Sequence, residues 1–311
     1  QRIPHAPHFI LVDWTMVFVL TSWARFPIPS APAWIRICRQ FHPTLFTPIL
    51  FGHLVEIIPA ATAADRDAWL IRLDQAFFGG DPSLFLQRLY HPLLTELLQW
   101  VYTLFYFIPL SLAVVLAVRK RFPELDRYVF LVCYGFFLSY LGYFLVPAIG
   151  PRFTLRALYT QELQGVLLYS NLSDLINFLE SINRDCFPSG HVMMTLVALH
   201  AAWRLERKAF WILLPFGSAL VVATVYLRYH YGVDVLAGIL WYLFAFYTAP
   251  AAYNLVLRVA YPRRRLADPP GGDPGSPPES SVAPSRSGEP PSSRFSTIRN
   301  RSRPKPSTKN R

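Results

Sequence analysis

The sequence predicts an all-α, polytopic transmembrane helix bundle of six or seven spans. Three observations carry this. Of the 311 residues, 53% are hydrophobic and 16% are charged, against about 25% charged in an ordinary soluble domain, and the mean hydropathy is +0.28. Apolar stretches recur near the length of about 20 residues that a helix needs to cross hydrocarbon. The charges between them are segregated into short connectors and a terminal tail, as expected where a charge in the bilayer costs several kcal/mol.

Five segments read clearly as spans: 94–118, 128–147, 190–202, 210–226 and 233–256. The third is short and extends back into the loop before it. Two weaker candidates lie upstream, at 9–23 and 45–61; the latter contains Pro48, His53, Glu56 and Pro59 and is expected to be kinked or packed deep in the bundle. Basic connectors orient the set. Arg119, Lys120, Arg121 and Arg127, then Arg204, Arg207 and Lys208, then Arg258 and Arg263 to Arg265 fall on one side if the spans alternate. That side is expected to be cytoplasmic. The loop 148–188 and the turn 228–234 then share the outer face.

The organisation follows: an N-terminal segment 1–44 with a candidate extra membrane helix, a transmembrane core over 45–262, and a tail over 263–311. The tail is rich in Pro, Ser, Gly and Arg and has too little apolar surface to offset its ordering entropy. It is expected to be a disordered, basic cytoplasmic tail, either solvated or touching anionic lipid headgroups. The formal charge of +11 lies largely in connectors and tail, so the expected partner is the bilayer and not nucleic acid. Cys38, Cys133 and Cys186 fit neither a disulfide framework nor a zinc pattern. No cleavable signal is expected in 1–8. Residues 62–91 predict short interfacial helices around the Gly79-Gly80 turn. Ser173 is expected to cap a short helix carrying Leu175, Ile176, Phe178, Leu179 and Ile182, which either lies over the outer face or serves as a packed connector.

Three motifs carry chemistry. In Cys186-Phe187-Pro188-Ser189-Gly190-His191, Pro and Ser-Gly ahead of an apolar run mark a helix start. The unpaired N–H groups and positive dipole there attract an anion. Ser189 adds a hydroxyl, Gly190 admits a phosphate to the backbone, and His191 stands in reach as a proton donor. In Tyr226-Leu227-Arg228-Tyr229-His230-Tyr231-Gly232-Val233-Asp234, His230 and Asp234 are four apart and share a helix face. A carboxylate accepting one ring N–H leaves the other nitrogen as a nucleophile. In Pro147-Ala148-Ile149-Gly150-Pro151-Arg152-Phe153, a stiff turn holds Arg152 at the outer surface, where its planar fork suits phosphate oxygens.

Together these motifs resemble the three-part signature of the type 2 phosphatidic-acid phosphatase superfamily, which includes the vanadium haloperoxidases. Their form, Gly-Pro-Arg, Phe-Pro-Ser-Gly-His and Tyr-Leu-Arg-Tyr-His, looks most like the membrane branch that also holds inositol phosphorylceramide synthases. The resemblance covers roughly 45–258. It implies an active site at the outer membrane face, in which His230 attacks phosphorus, Asp234 orients it, and His191 protonates the leaving group. Arg152, Ser189 and the Gly190 amide would hold the phosphoryl oxygens, with no metal and no cofactor. Two motifs depart from the pattern: Leu145 and Phe153 stand where the family has Lys and Pro, and Thr224 where it has Arg. Arg228, one turn beyond Thr224, is expected to replace part of the missing cation.

The implied substrate is a lipid phosphate and the implied location the plasma membrane, with the site facing outside. Hydrolysis and transfer of the head group to an alcohol share every motif residue, and a non-catalytic phosphate-binding membrane protein is the third alternative. His53 and Glu56 are a minor candidate metal pair. Tyr102, Phe105 and Tyr106 form a stripe that suits bundle packing or a lipid groove. His200 reads as a packed bundle residue, and Asn171-Leu172-Ser173 is a glycosylation sequon. Nothing in the sequence speaks to oligomeric state.

Overall fold

The computed structural model describes residues 5–25, 32–62, 64–180 and 184–260, and every regular element among them is helical. In chain order these are α1 (Ala6–Arg25), α2 (Ala33–Phe41), α3 (Phe46–Ala61), α4 (Asp67–Phe78), α5 (Pro82–Leu86), α6 (Pro92–Thr103), α7 (Phe107–Val118), α8 (Phe122–Leu145), α9 (Pro151–Thr154), α10 (Tyr169–Leu179), α11 (Gly190–Leu205), α12 (Arg207–Tyr226) and α13 (Gly232–Ala260). The tail predicted over 263–311 lies outside the described residues.

Among the described residues, six helical stretches are long and apolar enough to cross a membrane: Ala6–Trp23, Trp34–Ala61, Pro92–Val118, Phe122–Leu145, Arg207–Tyr226 and Gly232–Val259. Both weaker upstream candidates are therefore among them. The segment read as a span from 190 is a helix of only 16 residues, about 24 Å at about 1.5 Å per residue, short of the full hydrocarbon thickness. It sits at the centre of the bundle instead, with Val192, Met193, Met194 and Ala198 fully enclosed.

The span predicted over 94–118 is not one continuous α-helix. A 3₁₀ turn at Leu104–Tyr106 separates α6 from α7. Pro109 explains the break, because it has no N–H to return to the carbonyl of Phe105. The main core joins α7, α8, α11 and α12 through Leu112, Leu116, Leu125, Met194, Ala198 and Leu220. In lipid such helices associate by close packing and by polar contacts between helices, not by an aqueous hydrophobic effect.

The two ends of the bundle differ. Arg119 and Arg121 both reach Glu206, at 2.8 and 3.1 Å, and Arg121 also donates to the Leu205 carbonyl. Two of the basic connectors thus meet at one end. The starts of α11 and α13 and the end of α8 lie at the other end, and the three motifs gather there. His53 and Glu56 meet side chains of the N-terminal segment: His53 stacks on Phe9 with ring centroids 4.3 Å apart and lies 3.2 Å from Asp13, while Glu56 pairs with His5. His200 stacks on Phe246 and contacts the Tyr242 hydroxyl, as a packed residue should.

Ser173 does not cap α10. That helix begins four residues earlier, at Tyr169, and a distant carboxylate serves its N-terminus: Glu96 on α6 accepts the N–H groups of Val166, Leu167, Leu168 and Tyr169. The last two, the N-cap Leu168 and the first helical residue Tyr169, are among the donors that a helix start leaves without intrahelical partners. The buried face of α10 is Leu172 and Ile176, while Leu175 and Phe178 point outward; Ile182 lies outside the described residues. In the 62–91 stretch, α4 ends on Gly79 in the left-handed region at φ 74°, as the predicted turn requires.

Candidate active site

Backbone hydrogen bonds stitch the three motifs into one surface. The Ser189 N–H donates to the Asp234 carbonyl at 3.2 Å, the Arg152 N–H to the Arg228 carbonyl at 3.0 Å, and the Cys186 N–H to the Ala148 carbonyl at 3.2 Å. Residues far apart in sequence are thus fixed in register before any side chain is considered.

Two buried aspartates on α4 brace this surface from below. Asp67 accepts the N–H groups of Ile149 and Gly150 at 3.0 and 2.9 Å and the Tyr231 hydroxyl at 2.9 Å. Asp74 accepts the N–H groups of Gly232 and Val233 at 3.0 and 2.8 Å, so it caps α13 from another helix. Gly150 has φ 93° and lies where an added Cβ would approach the Tyr229 carbonyl to 2.9 Å. Only glycine suits both conditions.

His230 and Asp234 come together at the mouth of α13. His230 Nδ1 is 3.5 Å from Asp234 Oδ2 and 2.7 Å from the Cys186 carbonyl oxygen. A carbonyl can only accept, so Nδ1 carries the proton and Nε2 the lone pair. Asp234 is fully buried, and its Oδ2 also takes the Tyr231 N–H at 2.8 Å and the Cys186 thiol at 2.9 Å. Burial, and then the Asp234 charge, push the Cys186 thiol well above its ordinary value. The Cys186, His230 and Asp234 donor atoms lie within 4.8 Å of one another, a spacing a metal would accept. In this structure the thiol donates to the carboxylate and the imidazole Nδ1 to the Cys186 carbonyl, so the three side chains form a hydrogen-bonded set.

His191 lies across from His230, with ring centroids 5.7 Å apart. It is clamped by aromatic rings: Tyr102 stacks on it at 4.4 Å, and Phe105 lies tilted against it at 4.3 Å. Its Nδ1 is 3.4 Å from the Tyr102 hydroxyl, and its Nε2 is 3.1 Å from Glu180 Oε1, though those two atoms are not aligned for a hydrogen bond. The α6 stripe therefore holds His191 as well as packing the bundle.

A cavity of about 450 Å³ opens on this group; Arg152, Gly190, His191, Tyr229 and His230 border it, with Glu180 and Asp185. Asn177 of α10 accepts from Arg152 Nη1 at 2.7 Å, and the Tyr229 ring faces the guanidinium at 4.9 Å. Burial, and then neighbouring Glu180, hold the Asp185 carboxyl well above the usual carboxylate range. Gly190 borders the cavity because nothing larger fits: an added Cβ would come within 2.6 Å of the Tyr143 hydroxyl. Ser189 is fully buried, and its hydroxyl accepts the Val192 N–H at 3.3 Å, so it acts here as the α11 cap.

Arg228 is placed differently from the expectation of a phosphate-facing cation. It is not among the residues that border the cavity. Its guanidinium lies 3.7 Å over the Tyr159 ring and donates to the Gln161 carbonyl at 2.7 Å. Its backbone, at φ 66°, closes α12 so that the Tyr229 and His230 N–H groups both return to the Thr224 carbonyl. Leu145 and Thr224 supply no charge, so Arg152 is the one guanidinium at the cavity among the described residues.

Sequence reasoning missed Glu180, Asp185, Cys186 and Asn177. Asp185 and Cys186 had a signal, since they directly precede the Phe-Pro-Ser-Gly-His run; Glu180 and Asn177 are brought in only by the docking of α10. Searches of the curated proteins and of the solved structures found no match. The family model of the PAP2 superfamily matches residues 68–248, an interval that contains every motif residue and Asp74 but starts one residue after Asp67 and leaves out α1 to α3. The chain belongs to the PAP2 superfamily.

Proposed function

We propose that this protein is an integral membrane lipid-phosphate phosphatase that works through a phosphohistidine. The observation that carries the reading is the pair of imidazoles, His230 and His191, facing one cavity with a guanidinium at its edge. With Nδ1 held by a carbonyl, His230 Nε2 attacks phosphorus and the bond to the leaving oxygen breaks. His191 gives that oxygen its proton. The now neutral His191 takes a proton from water, the water oxygen bonds to phosphorus, and the P–N bond breaks to return His230. Arg152 and the N–H groups opening α11 stabilise the charge on the phosphoryl oxygens. The basic connectors support a topology with the site on the face opposite the cytoplasm, and the plasma membrane is the location proposed for it.

A second reading, transfer of the head group to an alcohol, has its own support. One guanidinium, with Leu145 and Thr224 in place of cations and two carboxylates nearby, suits a singly charged phosphodiester better than a doubly charged monoester. The test is phosphate release from a panel of lipid phosphates in detergent with EDTA present, for the native chain and His230→Ala. Release that survives EDTA and is lost in the variant is the expected result; release unchanged in the variant would sink the mechanism. Product appearing only when an alcohol acceptor is added selects the second reading.

A further inference from the structure

The cavity does not end at the histidines. It continues between α3, α7 and α8, where its walls are formed by Phe41, Pro48, Phe51 and Gly52 on one side and Ala113 and Phe136 on the other. Along α8 it runs from Tyr143 to Tyr128, about 22 Å at about 1.5 Å per residue. That exceeds the about 15 Å depth of one leaflet.

This arm is dry in character. Four of the hydroxyls along it are consumed within the protein: Thr44 donates to the Phe41 carbonyl, Thr47 to Thr44, Tyr140 to Thr47 and Tyr128 to Pro109. A ligand in the arm meets mostly rings, methyls and methylenes. The head end, by contrast, carries Arg152, the two histidines and two carboxylates. One cavity with a polar head and a long apolar arm matches one amphiphile.

We propose that the arm binds a hydrocarbon chain of the phosphate-bearing lipid, and that residues 41–52 select its length. The inference rests on the lipid-phosphate reading of the site. It adds a specificity element outside the family-matched interval of 68–248: the chemistry lies in that interval, and the chain-measuring wall lies before it. Gly52 is the position that tests this. A Cβ built there meets nothing within 4 Å, so a bulky side chain can enter without displacing the helix.

The experiment uses the full chain in detergent with two readouts. The first is the ratio of kcat/KM for long-chain to short-chain phosphate lipids. In Gly52→Trp this ratio should fall about tenfold, the factor expected when about two methylene groups lose their burial. The second is labelling by a long-chain phosphate lipid with a diazirine at its chain end, mapped by mass spectrometry. Label should fall on residues 41–52 and the facing parts of α7 and α8, and decline in Gly52→Trp. An unchanged ratio, or label absent from the arm while phosphate release persists, overturns the arm and leaves the phosphatase reading intact. Label in the arm with no phosphate release from any lipid supports the arm and defeats that reading. Phe51→Ala, which enlarges the wall, should shift the optimum towards longer chains.

Discussion

The Cys186 thiol and the Asp234 carboxylate are 2.9 Å apart, with the sulfur donating to Oδ2, and this contact links two motifs through side chains. The same cysteine gives its carbonyl to His230 Nδ1. Cys186 thus positions both His230, the proposed nucleophile, and the carboxylate behind it. Cys186→Ser keeps a donor of smaller size and is expected to retain most turnover. Cys186→Ala removes a hydrogen bond to a charged acceptor, worth about 1.5–3 kcal/mol, and should lower kcat about tenfold or more with KM little changed. Equal kcat in the two variants would remove Cys186 from the positioning set.

Asp185 gives the site a pH dependence. Burial and Glu180 hold its carboxyl above the usual range, so it stays neutral to higher pH than an ordinary aspartate. Once ionised, it places a negative charge beside the phosphate. The expected profile of kcat/KM therefore falls on the alkaline side as Asp185 loses its proton. Asp185→Asn, neutral throughout, should flatten that limb. An identical limb in the variant would assign it to another group.

Arg152 and Arg228 separate by role. Arg152 borders the cavity, and Asn177 holds it. Arg152→Ala should raise KM and the inhibition constant for inorganic phosphate more than tenfold, while Arg152→Lys recovers part of the loss, as a point charge does at a bidentate site. Asn177→Ala should give a smaller rise in the same direction. If inhibition by phosphate is unaltered in Arg152→Ala, the anion site lies elsewhere.

What was legible in the sequence was local. The Ser189 cap, the four-residue spacing of His230 and Asp234, and the Gly-Pro turn before Arg152 all act within a few residues, so their patterns survive in one dimension. Polar groups paired across long separations were not legible. Glu96 serves a helix start 73 residues later, which is why the local rule chose Ser173 wrongly. Asp67 and Asp74 look like the polar face of an interfacial helix, yet they are buried against backbone 83 and 158 residues away. The apolar arm was invisible for a related reason: α3 reads as one more span until its residues are seen facing α7 and α8.

Arg228 is expected to act on stability more than on phosphate. Its left-handed backbone strains any side-chain-bearing residue, by about 1 kcal/mol or more, while its guanidinium ties the turn to Tyr159 and Gln161. Arg228→Ala loses the tie and keeps the strain; Arg228→Gly loses the tie and relieves it. Thermal unfolding in detergent should therefore rank the native chain first, then Gly, then Ala, with phosphate inhibition changed less than in Arg152→Ala. A large loss of phosphate affinity at unchanged Tm would instead give Arg228 the role of a phosphate cation.

Asp74 links the fold to the chemistry. Its two oxygens take the first N–H groups of α13, two residues past His230 and one before Asp234. Asp74→Asn replaces one acceptor by a donor and leaves an N–H without a partner, at a cost of about 1–3 kcal/mol and several degrees in Tm. Burial raises the Asp74 carboxyl to about 7, above the unfolded value of about 3.9. Between these limits the folded state holds a proton that the unfolded state has released, so the contribution of this group is full below the lower limit and lost as pH rises through the upper. The Tm advantage of the native chain over Asp74→Asn should therefore shrink between about pH 4 and pH 7. Parallel Tm curves would show that Asp74 does not titrate in this window. A fall in kcat that accompanies the stability loss would tie the registry of His230 and Asp234 to this single cap.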